Sequence, residues 1–171
     1  MKTTLWTVQV LWGVFFSLTG LGKILWYKPE LWNQALHEVP WLYAVPQDLA
    51  IFIGVAEFLG GIGLILPAMT GVKPKLTPLA AIGLTVIMIL AGIFHIARGE
   101  YLLLIVNVLA GAVTAFIAYG RLVVKPIAPA PISAFRVLAA LAVLGALVLV
   151  DYAPVWYKLS HPAAQTANVN K

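Results

Sequence analysis

The sequence predicts an all-α, polytopic transmembrane helical bundle: a four-helix core plus a fifth C-terminal transmembrane helix. Three observations carry this reading. The chain is 62% hydrophobic and 10% charged, against roughly 45–50% and 25% in soluble domains. Its apolar residues gather into runs long enough to cross a hydrocarbon layer, which takes about 20 residues per helix. Prolines fall around those runs, where helices are expected to end: Pro29, Pro40 and Pro46, then Pro67, Pro74 and Pro78, then Pro126, Pro129 and Pro131.

The predicted spans are residues 5–26, 49–69, 79–97, 101–119 and 132–150. The first follows Lys2 and has small residues, Ser17 and Thr19, where a signal peptide would be cut. The run continues through Gly20, Leu21, Gly22 and Ile24 to Trp26, long enough to span, so its retention is expected. The longest connection, 27–48, carries Trp32, Trp41 and Tyr43 just after Trp26, as suits an aromatic belt at the headgroup level. Between Pro29 and Pro40, Leu31, Trp32, Ala35, Leu36 and Val39 fall near one helical face. This predicts a short interfacial helix, serving as an anchor or, alternatively, as a lid over a site.

The Arg98-Gly-Glu connection is short enough to force the third and fourth spans into an antiparallel hairpin. Beyond the fourth, the Pro-rich 126–131 stretch reads as an extended tether. The fifth span has no charge between Arg136 and Asp151. After it come Tyr152, Trp156 and Tyr157 and then polar residues, an interfacial foot followed by an expected disordered end. The domain division expected is thus 1–125 for the four-helix membrane unit, 126–151 for tether and fifth helix, and 152–171 for the tail.

The net charge of +5 forms no stripe of the kind that binds nucleic acid, and its scattered cations read as topology signals. With the N-terminus cytoplasmic, Lys2, Lys73, Lys75, Arg121, Lys125 and Arg136 lie inside, while Lys23, Lys28, Arg98 and Lys158 lie outside. The expectation is a bacterial-type inner membrane, N-terminus in and C-terminus out. There is no cysteine, which excludes disulfides, thiolate nucleophiles and cysteine-ligated clusters. His37, His95 and His161 are too dispersed for a metal site, and none is expected. Phosphate-binding loops, nucleophile elbows and internal repeats are absent from the sequence.

What remains is a set of polar residues inside the spans. An ionisable group at depth costs about 2.5–3.5 kcal/mol on insertion scales unless it faces inward and is paired. Glu57 has Gly54, Gly60 and Gly61 on its helical face, and Lys23 follows Gly20 by three. His95 follows Gly92 by three, and Asn107 shares a stripe with Gly111, Thr114 and Ala118. Small residues at these positions let helices approach closely. At a rise of 1.5 Å per residue, all four groups lie within about 13 Å of the side that carries the first connection. Lys23, Glu57, His95 and Asn107 are therefore the candidate polar pocket. Each also has a plainer reading: Lys23 snorkelling, His95 at the interface, Asn107 bonding a neighbouring helix, and Glu57 in a purely structural bridge to Lys23 or His95.

With these residues in hand, the chain resembles the DoxX-like membrane proteins, whose usual pattern is four helices. The small-residue and lysine motif closing the family's first helix is matched by Phe16-Ser-Leu-Thr-Gly-Leu-Gly-Lys23, and its glutamate with paired glycines by Glu57-Phe-Leu-Gly60-Gly61. A histidine near the end of the third helix is matched by His95. The resemblance covers roughly residues 5–120, and the fifth span departs from it. It implies a subunit or accessory of a membrane oxidoreductase or oxidative-stress complex, since the name is shared with a subunit of thiosulfate:quinone oxidoreductase.

Three functions are then open. In a redox-associated subunit, the pocket holds a quinone headgroup or a small sulfur-containing substrate. Glu57 and His95 exchange protons, Lys23 stabilises an anionic oxygen and Asn107 orients the ligand. With no cysteine and no haem ligand pair, electrons in such a subunit pass through a bound quinone or a partner; the partners expected are the lipid bilayer and a redox partner protein or a homodimer, and no covalent cofactor is implied. The alternatives are a scaffold or assembly factor without catalysis, and a small-solute or proton-coupled carrier, against which the lack of an inverted repeat counts.

Overall fold

A computed structural model of the chain describes residues 2–131 and 133–160. Among the described residues six α-helices run in order: α1 (Lys2–Ile24), α2 (Pro29–Glu38), α3 (Gln47–Thr70), α4 (Leu76–Ala97), α5 (Tyr101–Tyr119) and α6 (Ala134–Ser160). No strand occurs among the described residues. Four helical segments, Thr3–Tyr27, Gln47–Thr70, Leu76–Ala97 and Tyr101–Val124, are long and apolar enough to cross a membrane. The apolar part of α6 is shorter, Ala134–Val150. Its helix starts two residues after Ile132, which lies outside the described residues, as does the polar tail expected at 161–171. The stretch expected as an interfacial foot continues α6 as helix up to Ser160.

The bundle is polar inside relative to its surface, as lipid requires. Phe52, Leu59, Leu90, Ile93, Leu102 and Leu109 are exposed, which in lipid costs nothing. Gln9, Ser17, Thr77 and Thr114 are buried with Phe16, Leu64, Leu84 and Ile117. Ser17 donates to the Gly13 carbonyl at 2.7 Å and Thr85 to Ala81 at 2.8 Å, bonds within their own helices that let these two hydroxyls cost little in hydrocarbon.

α1 packs chiefly on α3, and α4 packs on α5 and α3. α6 lies along α1 and α3. Glycine decides the first of these contacts. A Cβ on Gly54 would stand 2.8 Å from the Gly20 carbonyl oxygen, and one on Gly61 would stand 2.6 Å from that of Gly13. The two backbones are therefore in direct contact along this seam. Gly60 belongs to another interface, against Leu84 of α4.

Two prolines depart from the expectation that helices break where prolines fall. α3 runs through Pro67 to Thr70, and Pro78 sits in the first turn of α4. In a first turn the N–H has no partner within the helix, so proline removes nothing there. At Pro67 only one bond near the helix end is lost before Gly71 closes α3 at φ 72°, in the left-handed region that glycine adopts without penalty. The tether then returns to this cap, with Ala130 N–H donating to the Gly71 carbonyl at 3.2 Å.

The first connection forms α2 and a 3-10 turn, Pro40–Ala44. Together they bury Ala35 and Leu42 against Ala50, with Trp26, Trp32, Leu36, Val39 and Trp41 packed around them. Of the apolar face read from the sequence, Trp32, Ala35, Leu36 and Val39 take part in this packing.

Candidate functional site

The end of the bundle beneath the first connection holds two charged clusters. In the first, Lys23 Nζ lies 2.5 Å from Glu57 Oε2, and the Thr19 hydroxyl reaches the same oxygen at 3.3 Å. Lys23, Thr19 and Gly20 occupy the last two turns of α1, and the close approach of Gly20 to Gly54 places them against α3. Glu57 is buried. Its charge is therefore neutralised across the seam, which lifts the main cost of a carboxylate in hydrocarbon.

In the second cluster, His95 Nδ1 is 2.6 Å from Glu100 Oε2, and Arg98 Nε donates to Glu100 Oε1 at 2.9 Å. The tight turn makes this possible: Gly99 at φ 72° folds Glu100 back onto the end of α4. Glu100 lies outside the spans. The hydrogen bond with the His95 ring, joined by the bond and charge of Arg98, holds its carboxyl below the usual range, and partial desolvation opposes this.

Trp41 packs over the second cluster and reaches Trp26, three residues beyond Lys23 of the first. Its ring meets His95 edge-on with centroids 6.0 Å apart, and it also contacts Phe94 and Trp26 at 6.4 Å. Trp26 lies in the 3-10 turn, Leu25–Tyr27, that follows α1, and its carbonyl accepts a bond from Gln47 at 2.6 Å. The first connection is thus tied to α1, α3 and α4 at once.

Asn107 stands elsewhere, on α5, donating to the Leu103 carbonyl of its own helix at 2.8 Å. It lines a groove of about 480 Å³ between α4 and α5 with Thr85, Met88, Gly92, Leu104 and Gly111. The groove is apolar and opens sideways. Gly92 keeps it wide, since a Cβ there would stand 3.5 Å from Leu104 and 4.0 Å from Asn107. His95 shares the α4 face of Met88 and Gly92 by helical spacing. Of the four candidate residues the structure bonds Lys23 to Glu57. His95 and Asn107 have their own partners, and among the described residues no hydrogen bond links them to that pair.

Sequence reasoning missed a third polar cluster, at the opposite end. Arg121 Nε donates to Gln9 Oε1 at 2.6 Å, and Gln9 Nε2 donates to the Leu64 carbonyl at 2.6 Å. The guanidinium carbon lies 4.8 Å from the Trp6 ring centroid, within cation–π range. Gln9 and Arg121 are buried. The available signal was Gln9 itself, an amide within an apolar run. Among the described residues no group of three or more His, Cys, Asp or Glu is placed to hold a metal.

No curated protein and no solved structure matches the chain. The model of the DoxX-like family matches residues 7–117, which takes in α1 through α5 and stops short of α6. Lys23, Glu57, His95 and Asn107 all lie in that span, and the chain belongs to the DoxX-like family.

Proposed function

We propose that this integral membrane protein is a subunit or accessory of a quinone-linked redox system, and that the α4–α5 groove takes the quinone. The observation that carries this reading is the groove: apolar, about 480 Å³, open to the side and carrying one side-chain amide, Asn107. That volume falls within the roughly 300–1,000 Å³ typical of small-molecule sites. A lipid-soluble ring would enter such a groove from the bilayer without crossing water. With one N–H committed to Leu103, the Asn107 amide keeps its oxygen as an acceptor and its second N–H as a donor. His95, at the aqueous end of the same α4 face, and its partner Glu100 in the turn that follows would pass protons to and from the ring. Electrons would come from the redox centre of a partner protein, because quinone reduction takes up two electrons with two protons. The orientation that goes with this reading puts the first connection outside, in a bacterial-type inner membrane.

The test is gentle purification followed by extraction and mass spectrometry of bound quinone, on wild type and Asn107→Leu. Close to one quinone per chain, lost in the variant, supports the reading. A preparation free of quinone that carries one stoichiometric protein overturns it.

That second outcome would support an assembly scaffold, a reading favoured by the Lys23–Glu57 bridge within the glycine seam. Under it, Glu57→Gln lowers abundance and leaves a partner's activity per molecule unchanged.

A further inference from the structure

The six acidic residues of the chain are Glu30, Glu38, Asp48, Glu57, Glu100 and Asp151. The first five lie in the first connection, in the half of α3 next to it, or in the α4–α5 turn. Asp151 lies on α6 about 25 Å along the helix from its start, at 1.5 Å per residue. The opposite end, where α1, α4 and α6 begin and α3 and α5 finish, therefore has no Asp or Glu. It does have Lys73, Lys75, Lys125, Arg136 and the buried Arg121.

Arg121 is 5% exposed, and a buried charge needs a counter-charge. Gln9 supplies only a neutral oxygen, and both ends of its amide are already engaged. Trp6 supplies only its ring face. Among the described residues Arg121 Nη2 is buried with no hydrogen-bond partner. Thr77 Oγ1, fully buried in the first turn of α4, has none either. Arg121 sits in a π turn, Gly120–Val124, that packs against α4. Two unused donors, one of them cationic, thus lie in the part of the bundle that has no acid.

We propose that this end of the bundle is a binding site for a phosphate oxyanion, with the Arg121 guanidinium as its main ligand and Thr77 as a second donor. The guanidinium fork suits two phosphate oxygens. A swing of the half-buried Trp6 ring off the guanidinium gives the group its way in. The phosphate comes from an anionic phospholipid headgroup of the adjoining leaflet or from free inorganic phosphate. The site is distinct from the α4–α5 groove and does not rest on the quinone reading.

The test titrates the full chain in nonionic detergent with short-chain phosphatidylglycerol, the matching diacylglycerol, or inorganic phosphate. Native mass spectrometry and thermal melting are the readouts. Wild type should take one phosphatidylglycerol per chain in preference to diacylglycerol and melt higher for it. Protection by inorganic phosphate alone would assign the free anion as the source. Arg121→Gln should weaken binding about tenfold or more, as loss of a charged hydrogen bond does. Gln9→Glu keeps the guanidinium but supplies an internal carboxylate, and should abolish binding in a folded protein. Lys125→Gln, at an exposed position, should stay within about twofold of wild type. The proposal fails if neither phosphate probe binds better than diacylglycerol, if Gln9→Glu binds as wild type does, or if Lys125→Gln costs as much as Arg121→Gln.

Discussion

Lys23 of α1 and Glu57 of α3 meet at 2.5 Å inside the glycine seam that joins their helices. Removing one partner leaves the other charge without compensation. Glu57→Gln should destabilise the bundle by about 2–3 kcal/mol. This is below the roughly 3–5 kcal/mol of a fully buried pair, because the Lys23 side chain keeps 16% exposure. Replacing both, as Lys23→Met with Glu57→Gln, should recover part of that loss. A double-mutant cycle on melting in detergent measures it, and additive effects would show that the contact contributes nothing.

The seam makes a sharp prediction about glycines two positions apart. A Cβ on Gly20 would press on the Phe58 backbone nitrogen and stand 2.6 Å from the Gly54 carbonyl, whereas one on Gly22 meets nothing within 4 Å. Backbone cannot rotate aside, so Gly20→Ala should cost about 1–3 kcal/mol. Gly22→Ala should be neutral or stabilising by up to about 1 kcal/mol. Thermal melting of the two variants side by side decides this.

The His95–Glu100–Arg98 cluster predicts an acid-sensitive turn. The Glu100 carboxyl is held below its ordinary value of 4.5, so the unfolded chain binds that proton more tightly than the folded one. Stability from this group is therefore complete above about pH 5 and is lost as the pH falls through the folded-state value. Melting temperature should drop in this range in wild type and drop less in Glu100→Gln. Parallel curves would show that the cluster does not contribute.

Gln9 holds Arg121 and the Leu64 carbonyl together. Gln9→Leu should cost about 1–3 kcal/mol, the penalty for buried polar groups left without partners. Chemical denaturation would show it, and a change under about 0.5 kcal/mol would mean that the amide is dispensable.

For orientation, a periplasm-dependent reporter should be active when fused after Gly99 and silent when fused after Lys73. The reverse pattern would turn the chain over in the bilayer.

The spans were legible because hydrocarbon imposes one requirement along the whole of a crossing helix, and the runs around Phe52 and Ile93 meet it apart from Glu57 and His95. The Lys23–Glu57 contact was foreshadowed by the small residues beside each partner. Arg121 was not, because a cation near the end of a span reads as an orientation signal. Its amide partner lies 112 positions away, and nothing local marks the π turn that carries it. Pro67 misled because its penalty falls on one bond close to a helix end. Glu100 was hidden in a short loop, where sequence gives no hint that the chain turns a side chain back onto the preceding histidine.

Since α6 leans on α1 and α3, it screens that flank from anything diffusing in the plane of the membrane. The α4–α5 flank keeps its groove and its exposed Ile89, Ile93, Leu102 and Val108. The two flanks of the bundle are thereby unlike, one covered by a helix and the other open along its groove.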